Sequence, residues 1–176
     1  MDEIVKAALR KWPQVPHCHG WLALDARGDW YMRDEQTQAA GPFPRIKGSR
    51  ILHDKLRDFI GRNYAHDEHG GWYFQNGPQR VYVELEAAPW VWRLGPNEEV
   101  DRVTSHTGVP ATVVSSWVDE LGRLFLAADL GFGLVHTLDM ELASRRVETG
   151  AWQPRDSTLA ALIAHFRFQL KPAPPA

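Results

Sequence analysis

The chain has 176 residues, a net charge of -2, 44% apolar and 24% charged residues, and a single cysteine. These values describe one globular domain, or two small ones sharing a core. The acidic balance and scattered Lys/Arg exclude the positive field that nucleic acid or an anionic membrane requires. One cysteine excludes an internal disulfide framework, and no window approaches the roughly 20 apolar residues of a membrane span. The start, Met1-Asp2-Glu3, is acidic with no apolar run behind it, unlike a signal peptide. A cytoplasmic protein of bacterial style is expected. Eight tryptophans are many for this length, and their amphipathic rings suit sheet faces and concave surfaces.

Ile4, Val5, Ala8, Leu9 and Trp12 recur at helical spacing over residues 3–12, with Asp2 as expected N-cap and Pro13 as stop. Trp21–Leu24 and Trp30–Met32 read as strands joined by a turn over Asp25–Gly28, where Asp bonds the backbone ahead and Gly supplies positive φ. Residues 33–48 are expected to be a loop. Residues 49–64 read as a helix with Leu52, Leu56, Phe59 and Ile60 on one face. Strands follow at 72–74, 79–86 and 89–94, and Val81, Val83 and Leu85 alternate with Tyr82, Glu84 and Glu86 as on a sheet with one buried face. Gly95-Pro96-Asn97-Glu98-Glu99 is the clearest punctuation. Beyond it strands are expected at 111–118, 124–126 and 132–138, and 139–147 is open between strand and helical turn. A helix over 156–170 is capped by Asp156-Ser157-Thr158, and residues 171–176 are an extended tail.

The phrase Asp-x-x-Gly-x-(Trp/Leu)-(Tyr/Phe) occurs three times, beginning at Asp25, Asp67 and Asp119. Offsets of 42 and 52 residues give no fixed period. Polar turns before aromatic strands explain the phrase as well as duplication does. Superposing Asp67 on Asp119 also brings Tyr82 onto Leu134 and Val83 onto Val135, the pattern of two related halves, 1–95 and 96–170. Against that, a helix precedes the turn in the first half and follows the strands in the second.

The run from Gly71 to Leu85, with Arg62-Asn63-Tyr64 before it and Pro89-Trp90-Val91-Trp92 after, resembles a family of uncharacterised bacterial proteins. The likeness spans most of the chain. It implies no activity and brings no catalytic residue.

Candidate chemistry is sparse. In His17-Cys18-His19 a thiol lies between two imidazoles, but alternation in an extended segment counts against both rings reaching one ion. Cys18 with His66 and His69 is the alternative ligand set for zinc or copper, although CxxC and HExxH spacings are absent. The run His66-Asp67-Glu68-His69 coincides with an expected turn, where polar residues are ordinary. A nucleophilic Cys18 assisted by His17 or His19 would need a geometry that sequence adjacency does not supply. Glycine-rich phosphate loops and serine elbows are not found. Glu84 and Glu86 share a face with Tyr82 and could act on a cationic group, or simply form a solvated face paired with Arg80 or Arg93. Trp90 and Trp92 share a face and are either a binding platform or core.

The expected architecture is α+β: antiparallel sheets built from hairpins, with helices near 3–12, 49–64 and 156–170 packed on them. The expected function is a non-enzymatic binding or interaction protein for a protein or small-molecule ligand, without cofactor, nucleic acid or membrane. Its expected surface comprises Tyr82, Glu84, Glu86, Trp90, Trp92 and Arg80, with a homodimer through a sheet edge or aromatic face as an expected assembly. A small metal-dependent or Cys/His hydrolase is the alternative.

Overall fold

The computed structural model describes every residue except Asn97, Pro175 and Ala176. The chain forms two compact units. The first holds α1 (Glu3–Lys11), β1 (Cys18–Leu24), β2 (Trp30–Met32), α2 (Glu35–Ala40), β3 (Ser49–Arg50), α3 (Asp54–Arg62), β4 (Tyr64–His66), β5 (Trp72–Asn76) and β6 (Gln79–Leu85), with the segment from Phe168. Its strands lie in the order β3-β2-β1-β6-β5-β4. Only β1 and β6 run parallel, so this sheet is mixed and not purely antiparallel.

Local physics explains these boundaries. Helix α1 ends before Pro13 as expected, but Asp2 makes no side-chain cap. Its carboxylate pairs with Arg62 at 3.2 Å instead. The expected loop at 33–48 contains α2, whose cap Asp34 accepts from the Thr37 N–H at 2.8 Å. Helix α3 begins at Asp54 and not at Ser49, because Ser49 and Arg50 pair with β2. Leu52, expected on the apolar helix face, is therefore 71% exposed.

The second unit, Ala87–Arg167 with Ala26–Gly28, contains β7 (Trp90–Arg93), β8 (Arg102–Ser105), β9 (Pro110–Val118), β10 (Leu124–Ala128), β11 (Gly131–Val135), α4 (Met140–Glu148), β12 (Arg155–Asp156) and α5 (Leu159–Phe166). Strands β10-β11-β7-β8-β9 close into a barrel through a further β9–β10 pairing, and β12 adds to β9. Trp92, Phe125, Leu126, Val103 and Val135 are almost wholly buried in this unit. Gly133 is required there: a Cβ would stand 2.5 Å from the Trp92 Nε1 and 2.7 Å from the Trp90 carbonyl oxygen. Helix α5 is shorter than the expected 156–170. Thr158 caps it, Arg167 ends it at φ 53, and Phe166 stacks on Phe132 at 4.0 Å. The punctuation at Gly95–Glu99 lies in the β7–β8 connection, with Asn97 outside the described residues.

The three Asp-x-x-Gly turns are built alike. Each aspartate's backbone N–H donates four residues ahead, from Asp25 to the Asp29 oxygen, Asp67 to Gly71 and Asp119 to Arg123, at 3.0–3.1 Å. In each, Oδ1 accepts the returning N–H at 2.8–2.9 Å. Gly28, Gly70 and Gly122 take φ of 81, 81 and 73, which glycine adopts at little steric cost.

The two sheets share an order, β3-β2-β1-β6-β5 in one and β9-β8-β7-β11-β10 in the other. Register agrees too. Tyr73 faces Tyr82 and Phe74 faces Val81, and 52 residues later Phe125 faces Leu134 and Leu126 faces Gly133. Helix α3 occupies a connection that has no helical counterpart between β9 and β10, which accounts for the misplaced helix in the sequence comparison.

Candidate functional site

Strand β6 lies inside the first sheet, with β1 on one side and β5 on the other. The expected solvated face is a correction: Tyr82 and Glu84 are 8% and 5% exposed. The reason is a layer of polar partners. The His19 ring stacks on Tyr82 at 4.5 Å and 10°, and His17 meets it edge-on at 6.0 Å. Arg33 Nη1 donates to Glu84 Oε2 at 2.8 Å and Nη2 to the Gly41 carbonyl at 2.7 Å. Lys47 bridges Asp25 and Glu86 at 2.9 and 3.5 Å. Arg80 lies over the Tyr73 ring at 4.5 Å instead of pairing with Glu84 or Glu86. Arg93 is in the other unit and pairs with Asp139 at 2.6 Å.

The residues of the expected binding surface are divided between two sheets, Tyr82 and Glu84 in the first and Trp90 and Trp92 in the second. Trp90 and Trp92 are 6% and 0% exposed, and the Trp92 indole donates to the Leu126 carbonyl at 3.1 Å. They are core.

The histidine–cysteine triplet also corrects the expectation. Alternation separates Cys18 from its neighbours, not the histidines from each other. His17 and His19 both meet Tyr82, whereas Cys18 lines the opposite face beside Val81. His66 packs on Trp72, and His69 is solvent-facing beside Glu68. Among the described residues no group of three or more His, Cys, Asp or Glu side chains could hold a metal ion.

On that opposite face helix α3 and the sheet enclose an apolar groove of 330 Å³. Its floor includes Leu22, Phe74 and Val81, and Leu56, Phe59 and Ile60 come from the helix. Trp21 and Met32 line it while remaining 40% and 50% exposed. The Cys18 thiol and Asn76 are its polar points. The helical stripe was legible in the sequence. Trp21 and Met32 were not, since nothing in a strand pattern says that the covering helix stops short of them.

Electrostatics on the Tyr82 side follow from burial. Burial and neighbouring His17 lower the His19 pKa. Burial and the bond to Asp67 raise that of Tyr82. For Asp67 burial works to raise the pKa, but the Tyr82 hydroxyl and the Gly71 and His69 N–H groups outweigh it and hold the carboxyl below its ordinary value. The depressed folded value means that Asp67 contributes stability in full above its unfolded pKa, lost as pH falls through the lower folded one. Asp67→Asn is therefore expected to flatten the acid limb of stability below pH 3.8. Urea midpoints measured from about pH 6 down to about pH 2 check this. Parallel curves for variant and parent would refute it.

The comparisons with known proteins bear on family and fold. No curated protein matches the chain. A DUF1285 family protein from Silicibacter pomeroyi DSS-3 is similar in structure, with TM-score 0.50 and 12% identity over 81% of this chain and 83% of that one. A second, from Shewanella baltica OS155, has TM-score 0.48 and 14% identity over 71% of this chain and 91% of that one. At such identity the Silicibacter likeness concerns fold alone. The family model DUF2944, described as "Protein of unknown function (DUF2946)", matches residues 1–172, and the chain belongs to that family.

Proposed function

We propose that this is a non-enzymatic binding protein whose first unit takes an apolar small molecule in the groove beneath α3. The observation that carries the reading is the groove itself: 330 Å³, lined almost entirely by aliphatic and aromatic side chains. That volume lies within the roughly 300–1,000 Å³ of small-molecule sites, which are mostly apolar with few polar groups. Trp21 and Met32 leave apolar surface in water that an occupant would cover. Separation of Cys18 from His17 and His19 by the strand favours binding over the hydrolase reading, because a thiol nucleophile needs its base within hydrogen-bond reach.

We further infer a bacterial cytoplasmic setting, in keeping with a sequence that has one cysteine and no disulfide framework. Among the described residues no helix is long and apolar enough to cross a membrane. The common strand order and register of the two sheets support descent from a duplicated unit.

The test is titration with the neutral fluorophore N-phenyl-1-naphthylamine. Saturable binding is expected, weakened at least about tenfold in Met32→Glu. Met32 is half exposed, so the variant is expected to fold, which its far-UV circular dichroism checks. Binding that never saturates, or that Met32→Glu leaves unchanged, would sink the proposal. Where binding saturates and Met32→Glu weakens it, native mass spectrometry of protein taken from cells identifies the natural occupant.

A further inference from the structure

The polar face of the same sheet carries a second concavity of 500 Å³, distinct from the apolar groove. Glu84 and Arg33 line it, together with His19, Gln38, Pro42 and Lys171. Arg33 is only 2% exposed, and an arginine has five N–H donors. Glu84 and the Gly41 carbonyl each take one, and Nε has no partner among the described residues. A buried donor left unmatched is costly and so calls for an explanation.

The charges give a direction. Arg33 and Lys171 supply two positive charges and Glu84 one negative. His19, whose pKa is lowered, adds no full charge at neutral pH. The Lys171 ammonium stands 3.9 Å from Glu84 Oε1, beyond hydrogen-bond distance, and its side chain is 72% exposed. The lining therefore carries one uncompensated positive charge beside a guanidinium with spare donors. One negative charge neutralises it, whereas a dianion would leave net negative charge against Glu84.

We propose that this pocket binds the carboxylate of a small organic acid, with Lys171 as the solvent-accessible donor, the buried Arg33 guanidinium as the positive charge behind it and Pro42 against the carbon skeleton. Glu84 is the positioning residue that holds the guanidinium.

The experiment is an amide-resolved NMR titration of the full chain with propionate, with propylamine and inorganic phosphate as competing chemistries. Propionate is expected to give saturable shifts at Gly20 and Gly41, and propylamine none. Lys171→Ala, at an exposed position that the fold tolerates, is expected to weaken propionate at least about tenfold. Saturating N-phenyl-1-naphthylamine is expected to leave the propionate shifts at Gly20 and Gly41 unchanged, so the two sites fail or stand separately. Absence of saturation, unchanged affinity in Lys171→Ala, or tighter binding of phosphate or propylamine than of propionate would each overturn the proposal.

Discussion

Replacing Arg33 with Met is expected to lower the free energy of unfolding of the first unit by about 3–5 kcal/mol. The cost comes chiefly from Glu84. Its side chain is 7% exposed, and its nearest remaining cation, Lys171, stands 3.9 Å away. A carboxylate stripped of its guanidinium keeps its desolvation penalty without the compensating hydrogen bond. The double variant Arg33→Met/Glu84→Leu is expected to recover most of the loss, since buried pairs exchanged for apolar side chains are often neutral. Urea unfolding of the two single variants and the double, read at β6 amides, gives the coupling directly. A loss under about 1 kcal/mol in Arg33→Met would mean that water reaches the pair freely and that it behaves as a surface salt bridge.

Trp92→Ala is expected to remove about 3–5 kcal/mol from the barrel, the usual range for deleting a buried aromatic. The indole is 0% exposed, so the deletion leaves a cavity. The same change removes the donor to the Leu126 carbonyl. Domains of this size are commonly stable by only about 5–15 kcal/mol, so much of the barrel's margin goes. Trp92→Phe keeps most of the packing, loses the N–H, and is expected to fall between parent and Ala variant. Trp21→Ala is the control: that ring is 40% exposed and its removal is expected to cost far less. Equal unfolding midpoints for Trp92→Ala and the parent would contradict the assignment of Trp92 to the core.

These two sites mark where the sequence was and was not readable. Alternation along 79–86 identified β6 correctly, because side-chain direction in a strand depends only on neighbouring residues. The same alternation suggested a solvated face for Tyr82, Glu84 and Glu86, which the tertiary structure overturned. Strand β6 has neighbours on both sides, and Arg33, in the segment expected to be loop, covers Glu84. Trp90 and Trp92 were grouped with that face because they lie close in sequence. They belong to another sheet.

The Asp-x-x-Gly phrase is the opposite case. Its hydrogen bonds span four residues, so Asp25, Asp67 and Asp119 announce the same turn wherever they stand. What the second carboxylate oxygen meets differs from turn to turn: distant Lys47 for Asp25 and Tyr82 for Asp67, but Arg123 of the same turn for Asp119. Helix α3 shows both sides. Leu56, Phe59 and Ile60 were recognisable as its apolar stripe, but its start shifted to Asp54 once Ser49 and Arg50 paired with β2.

By itself, then, the sequence determined the α+β class, the turns, most of the strands and the apolar stripe of α3. Each of these depends on backbone conformation and periodicity over a few residues. Only the tertiary structure decided that the sheets are mixed, that the second closes into a barrel, and that an apolar groove and a charged pocket lie on opposite faces of β6. Those features depend on strand order and register, which bring together residues such as Arg33 and Glu84 that stand 51 positions apart. No local pattern encodes a partner at that distance.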